Sequence, residues 1–115
     1  MVKFQNELTK TFEYNAEGKK AFTLSDLSEF EGISEKIKQF SYVEIDCGEE
    51  VPYHIHRGDA ENYFIISGTG LYSDNGKECE VTAGAITFTP SGQGHSLKNI
   101  GKEKLCFIAL VLKNE

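Results

Sequence analysis

Apolar and polar residues alternate in short runs from about Phe40 onward, and turn residues separate the runs. Alternation with a period of two is typical of half-buried β-strands, so this pattern predicts an all-β sandwich or barrel. Asp74-Asn75-Gly76 predicts a hairpin turn, because Asn and Gly tolerate the positive φ that such turns require. The predicted strands cover residues 40–47, 53–56, 62–67, 69–73, 78–82, 85–89, 95–100 and 104–112, with 62–73 interpreted as one strand bent at Gly68 and Gly70.

The first 39 residues are less regular than the rest. Residues 4–14 and 20–24 are predicted to add edge strands, and residues 25–29 offer a cap for one helical turn at most. A chain of 115 residues is long enough for one core and too short for two. We therefore expect a single domain, with an N-terminal arm and edge strands over residues 1–39 and an antiparallel double-sheet β-barrel over residues 40–115.

The alternation also predicts which side chains share a face of each strand, since residues two apart point the same way. If these faces line the barrel interior, three histidines and one glutamate from three strands converge there. The apolar Ile65 and Leu97 would then form the walls of a partly dry pocket. The shared faces are His54 with His56, Glu61 with Tyr63 and Ile65, His95 with Leu97 and Asn99, and Val43 with Ile45 and Cys47.

Charge and composition exclude some classes of function. A formal net charge of −6 argues against nucleic acid and anionic membranes as partners, since both attract basic surfaces. No apolar run approaches the roughly 18 residues of a spanning helix, and residues 1–7 lack a signal-peptide pattern, so the expected location is cytoplasmic.

The chain has three cysteines, Cys47, Cys79 and Cys106, which are widely spaced. An odd number at such spacing does not suggest a disulfide framework, so we expect all three to be reduced thiols. Cys106 lies in a continuous apolar run and is expected to be buried as a small hydrophobic residue.

All three histidines of the chain fall within two short patterns that point to one metal site. Imidazole nitrogens and a carboxylate are ligands that borderline and transition metals prefer. A buried, unpaired carboxylate would cost several kcal/mol, and a metal ion removes that cost. The patterns are Gly48-x5-His54-x-His56-x4-Glu61-x6-Gly68 and Gly84-x5-Pro90-x-Gly92-x2-His95-x3-Asn99.

These two patterns resemble the paired motifs of the cupin superfamily at all ten positions. The resemblance implies a small antiparallel barrel of two sheets that holds one metal ion through His54, His56, Glu61 and His95. It also implies homodimers, usually formed through sheet faces and an exchanged N-terminal strand. The segment 63–70 is most similar to single-domain cupins related to oxalate decarboxylase and to mannose-6-phosphate-isomerase-like proteins. Ligand type does not separate Mn, Fe, Ni, Co and Zn, so the predicted cofactor is one divalent ion.

Three hypotheses for function remain open at this point. The leading one is a metal-dependent enzyme acting on a small oxygen-rich substrate, such as a carboxylic acid or sugar, by dioxygenation, decarboxylation, isomerisation or lyase chemistry. The second is a non-catalytic binding or sensor module whose metal anchors the ligand, and the third is a purely structural metal barrel.

The residues beside the predicted ligands are weaker candidates for contacts with the substrate. Tyr63 shares the inward face and offers a hydroxyl, although core packing also explains it. Arg57 offers bidentate carboxylate recognition, but alternation points it away from His56, which favours a solvated side chain. Glu49, Glu50 and Asp59 lie near the expected barrel mouth, where one acid would suit general acid catalysis.

Overall fold

Alternating apolar residues build ten β-strands in the computed structural model, which describes residues 1–28 and 35–114. A single 3₁₀ turn over Gln5–Glu7 precedes the strands. The strands are β1 (Lys10–Tyr14), β2 (Lys20–Asp26), β3 (Ile37–Ile45), β4 (Glu50–Ile55), β5 (Asp59–Ser67), β6 (Gly70–Asp74), β7 (Lys77–Val81), β8 (Ile86–Thr89), β9 (Gly94–Asn99) and β10 (Leu105–Lys113).

The strands form two antiparallel sheets. The six-stranded sheet has the order β1-β2-β3-β10-β5-β8, and the four-stranded sheet has the order β4-β9-β6-β7. This confirms the predicted all-β, double-sheet jelly-roll class. Within the described ranges, no helix has the length and apolar character needed to cross a membrane.

Inward side chains of both sheets form one core. Ile45, Ile65 and Phe107 from the six-stranded sheet pack in the same cluster as Tyr72 and Leu97 from the four-stranded sheet. Ile45, Ile65 and Leu97 have no exposed surface, and Phe107 is only 1% exposed. Several side chains of this core, including Phe107, also border a cavity beside the polar residues described below.

The predicted bent strand over residues 62–73 is two strands in different sheets. β5 belongs to the six-stranded sheet and β6 to the four-stranded sheet. The chain crosses between them at Gly68, which has φ +94°. A left-handed backbone of this kind favours glycine, and it ends one strand before the next begins.

Two smaller expectations for the N-terminal half were wrong. Ser25 and Asp26 belong to β2 instead of a helical turn. Asp26 Oδ1 accepts hydrogen bonds from the backbone N–H and the hydroxyl of Ser28, both 2.8 Å long. These hydrogen bonds stabilise a local turn after β2 instead of capping a helix. Glu29, the last residue of the predicted helical turn, lies outside the described residues. Cys47 is exposed because β3 ends at Ile45, before alternation would carry it inward.

Candidate metal centre

Four side chains from three strands meet between the sheets. His54 lies in β4, His56 directly follows it, Glu61 lies in β5, and His95 lies in β9. One donor atom from each of the four residues lies within 4.8 Å of the others. The side chain of His54 is 40% exposed, whereas His56, Glu61 and His95 are buried. The structure therefore brings together the four residues that the sequence patterns predicted.

A β-bulge in β4 places His54 directly opposite His95. Val51 pairs with Leu97 and His54 pairs with His95, so three steps along β4 match two steps along β9. The extra residue moves His54 onto the same inward face as Val51, which strict alternation would not allow. The bulge thus determines which side of the sheet the first ligand faces.

The Nδ1 atoms of two histidines contact groups that can only accept a hydrogen bond. His54 Nδ1 lies 2.9 Å from the carbonyl oxygen of Pro52, and His56 Nδ1 lies 2.7 Å from Asp59 Oδ1. Each Nδ1 therefore carries the proton, and in the neutral ring each Nε2 presents a lone pair. Partners of this kind orient a metal-ligating imidazole and fix its tautomer.

His95 is held from three sides. Its Nδ1 lies 2.9 Å from the Tyr72 hydroxyl and 2.9 Å from Thr89 Oγ1. The ring of Tyr63 stacks on its face with centroids 4.8 Å apart. Because His95 has no exposed surface, this packing fixes the direction in which Nε2 points.

The free donor atoms face one another at short range. His95 Nε2 lies 3.1 Å from His56 Nε2, 3.0 Å from His54 Nε2 and 2.9 Å from Glu61 Oε1. Glu61 Oε1 also lies 2.9 Å from His56 Nε2. Lone pairs and a carboxylate crowded in this way repel one another unless a cation or protons lie between them. The chemistry of the donor set therefore fits a metal ion.

The distances between the donor atoms are not all equal. Metal–nitrogen bonds of about 2.1 Å place donors about 3.0 Å apart at right angles and about 3.4 Å apart in a tetrahedron. The four distances above match the right-angled value, whereas His54 Nε2 and Glu61 Oε1 are 3.9 Å apart. A closed tetrahedral site would instead give near-equal separations.

Local electrostatics favour the ligating forms of Glu61 and His95 but favour the protonated ring of His54, whose proton a metal ion would displace. Burial acts to raise the pKa of Glu61, but the neighbouring imidazoles of His54 and His95 outweigh it and lower this pKa below its usual value. Burial lowers the pKa of His95, which keeps the ring neutral. The interaction with Glu61 raises the pKa of His54. A carboxylate beside neutral imidazoles is the form that binds a divalent ion.

A cavity of about 310 Å³ opens beside the donors. His54, His56 and Glu61 lie in its wall, and Tyr63 lines it as well. The predicted apolar walls were wrong, since Ile65 and Leu97 are buried in the core and do not border this cavity. The apolar lining comes instead from Phe22, Leu24, Val43, Val51, Phe107, Ala109 and Val111.

The two candidate substrate contacts differ in their position. Tyr63 is 3% exposed, and its hydroxyl forms no hydrogen bond with the described residues. Burial raises the pKa of Tyr63 well above its usual value, so the hydroxyl keeps its proton and remains a donor. Arg57 is exposed and does not line the cavity. Of the two, only Tyr63 lines the cavity.

Asp59 has contacts that its sequence position did not predict. We expected it to be an acid near the barrel mouth, but the residue is 6% exposed and contacts His56 on one side and Lys38 on the other. Burial acts to raise its pKa, yet hydrogen bonds from Lys38 and His56 outweigh this and lower it. A signal was available, because Asp59 shares the inward face of β5 with Glu61.

Comparison with known proteins identifies the family. The family model described as the cupin domain matches residues 41–111. A curated protein named oxalate-binding protein, from Thermotoga maritima, is 35% identical over 95 residues, which cover 83% of this chain and 78% of that protein.

Solved structures show the same fold. A crystal structure from Thermotoga maritima described as a predicted oxalate decarboxylase superimposes with a TM-score of 0.88 at 33% identity, covering 98% of this chain and 99% of the other. The structure of KdgF from Halomonas sp. has a TM-score of 0.74 at 12% identity, covers 96% and 91% of the two chains, and shows the fold alone. From the family match and the shared identity, we conclude that this chain belongs to the cupin family.

Proposed function

We propose that this protein binds a small carboxylic acid through one divalent metal ion held by His54, His56, Glu61 and His95. The observation that carries the proposal is the convergence of three Nε2 atoms and one carboxylate oxygen beside a 310 Å³ cavity, whose wall includes His54, His56 and Glu61. Three neutral imidazoles and one carboxylate leave a divalent ion with a net positive charge, which attracts an anionic ligand.

Oxalate is the first ligand to test. The relative that shares 35% of its residues over most of this chain is named an oxalate-binding protein. Carboxylate oxygens are also suitable ligands for a divalent ion. When bound, the metal would act as a Lewis acid and a template for the ligand. Tyr63 would donate a hydrogen bond to the same ligand from the adjoining wall.

The test is a thermal unfolding experiment on the full chain prepared without a histidine tag. Oxalate at saturating concentration is expected to raise the Tm by several degrees in protein loaded with Co²⁺ or Mn²⁺, because a ligand that binds only the folded state stabilises it. Neither metal-free protein nor His54→Ala should respond. Equal stabilisation with and without the metal would contradict the proposal.

A catalytic role is the second candidate. A protein described as a predicted oxalate decarboxylase shares the fold at 33% identity, and Tyr63 and Lys38 place two proton-bearing groups on the cavity wall. Cleavage of the carbon–carbon bond of hydrogen oxalate gives carbon dioxide and formate, with the proton retained on formate. Formate release from the metal-loaded protein would therefore favour the enzyme, and binding without turnover would favour the binding protein.

We further propose that the chain forms a homodimer through the outer face of the six-stranded sheet. The edge strand β8 exposes 70% of Ile86 and 61% of Phe88, and the adjacent β5 exposes 46% of Phe64 and 41% of Ile66. Together with Leu112 these residues expose roughly 500 Å² of apolar surface, so two copies would bury about 1,000 Å². The buried area is at the lower limit for a specific interface, and exposed apolar patches of this size are often functional.

The dimer is tested by light scattering during size-exclusion chromatography. The wild-type protein is expected to elute as a dimer, and the double variant Ile86→Lys/Phe88→Lys as a monomer, because two charges would be buried at the contact. Ile100→Lys is the control, since Ile100 is 45% exposed and lies outside this face. A monomeric wild-type protein would refute this interface.

A further inference from the structure

The cationic side chain of Lys38 lines the cavity beside the candidate metal centre. Among the residues that the structure describes, the other charged residues on its wall, apart from the histidines, are the carboxylates Glu13, Asp59 and Glu61. Three carboxylates and one ammonium leave this space with a negative formal charge, which a divalent ion would neutralise. The metal and Lys38 would then be the two separate positive centres that an anionic ligand meets.

A β-bulge turns Lys38 toward this space. Gln39 pairs with Val111 and Ile37 pairs with Leu112. Lys38 is therefore the extra residue of the bulge and has no pairing partner on β10. Strict alternation would place Lys38 on the outer face with Phe40. The bulge instead allows its ammonium to reach the inward-facing Asp59, and bulges commonly re-aim a side chain in this way beside functional sites.

Asp59 holds the ammonium in place without using all of its donors. Lys38 Nζ lies 2.6 Å from Asp59 Oδ2, and Asp59 Oδ1 lies 2.7 Å from His56 Nδ1. An ammonium has three N–H donors, so two remain for a ligand. The side chain is 46% exposed, and it lines the cavity. One carboxylate and one imidazole ring separate it from the free donor atoms of the metal centre.

We infer that Lys38 is a specificity-determining residue that selects acids carrying two carboxylates over acids carrying one. This inference rests on the proposed metal-anchored binding of a carboxylic acid. The metal takes one carboxylate, and Lys38 donates a charge-assisted hydrogen bond to the second. A monocarboxylate gains only the first of these interactions, so the preference follows from the presence of a second positive centre on the cavity wall.

The experiment compares ligands on the full-length protein loaded with one equivalent of Co²⁺. Acetate, oxalate, malonate and succinate are titrated into wild-type protein and into Lys38→Met, which keeps most of the aliphatic stem. The affinity of Lys38→Met for its best dicarboxylate is expected to fall about tenfold, the usual effect of losing one hydrogen bond to a charged group. Its affinity for acetate should stay unchanged, and Lys38→Arg should restore dicarboxylate binding in part.

A purely structural role for Lys38 predicts a different result. If Lys38 only supports Asp59 and His56, Lys38→Met will bind Co²⁺ more weakly, and its affinity for acetate and dicarboxylates will fall together. That result, or an unchanged dicarboxylate affinity, would overturn the inference while leaving the proposed function intact. Lys77→Met, an exposed residue of β7, is the charge-matched control and should resemble the wild type. A wild-type protein that binds no carboxylate would overturn both proposals.

Discussion

Glu61→Gln is expected to weaken metal binding by more than about 100-fold, because removing even an outer partner of a ligand weakens binding by 10- to 100-fold. Glu61 supplies the one negative charge among the four donors, and its Oε1 lies 2.9 Å from both His56 Nε2 and His95 Nε2. The amide has nearly the same shape as the carboxylate, so the fold should persist. The affinity is measured by calorimetric titration of metal-free protein with Co²⁺.

Glu80→Gln controls for the loss of one negative charge. Glu80 lies on β7, where it is exposed, and is outside the four-residue cluster. Its affinity for Co²⁺ should equal that of the wild type. If Glu61→Gln and Glu80→Gln both bound the metal as tightly as the wild type, Glu61 would not be a ligand. Circular dichroism of each variant shows whether the β-sheet fold is retained.

Gly68→Ala is expected to lower the free energy of unfolding by roughly 3 kcal/mol or more, as strain and overpacking add. Gly68 has φ +94°, a conformation that side chains rarely adopt. A Cβ at this position would lie 2.7 Å from the Lys104 carbonyl oxygen and 2.8 Å from Leu105 Cα. Both atoms belong to the backbone and cannot move aside alone. Urea denaturation measures the loss.

Gly84→Ala separates the two causes. Gly84 has φ +90°, but a Cβ there would meet nothing within 4 Å. Its substitution therefore carries backbone strain alone, and we expect a loss of about 1 kcal/mol. Equal losses in the two variants would show that the close approach of Lys104 and Leu105 to Gly68 does not contribute. This comparison tests why the chain needs glycine where it crosses between the sheets.

Strand positions were largely predictable because one face of each strand is buried. The predicted strand ends agree with the observed ends to within one residue for β8, β9 and β10, which were predicted as 85–89, 95–100 and 104–112. Buried side chains such as Ile65 and Leu97 follow the alternation, since a shift of one residue would expose them. The two motifs likewise indicated the cluster, because their histidines lie on strands that the fold pairs directly.

The bulges could not be predicted from alternation. Pro52 and Tyr53 break the period in β4, and Lys38 breaks it in β3. A bulge depends on the register between two strands that are distant in the sequence, so a pattern read along one strand does not reveal it. For this reason Lys38 was not predicted to face the cavity. The apolar walls were also predicted wrongly, because alternation shows that Ile65 and Leu97 face inward but not whether they border the core or the cavity.

The orientation of the donors also required three-dimensional information. Asp59 lies three residues after His56, but only the turn between β4 and β5 brings its carboxylate to Nδ1. Tyr72 and Thr89 come from β6 and β8, which belong to different sheets, and both contact His95. Contacts of this kind leave no periodic signal in the sequence. They nevertheless decide which nitrogen of each ring remains available for a metal ion.

The central claim is that four side chains bind one divalent ion with positions left for a guest ligand. The most direct measurement is a titration of metal-free wild-type protein with Co²⁺, followed by its visible absorption spectrum before and after addition of oxalate. We expect one ion per chain and weak absorption bands typical of more than four ligands, and these bands should shift with oxalate. Failure to bind the ion, or an intense tetrahedral spectrum that oxalate leaves unchanged, would contradict the claim.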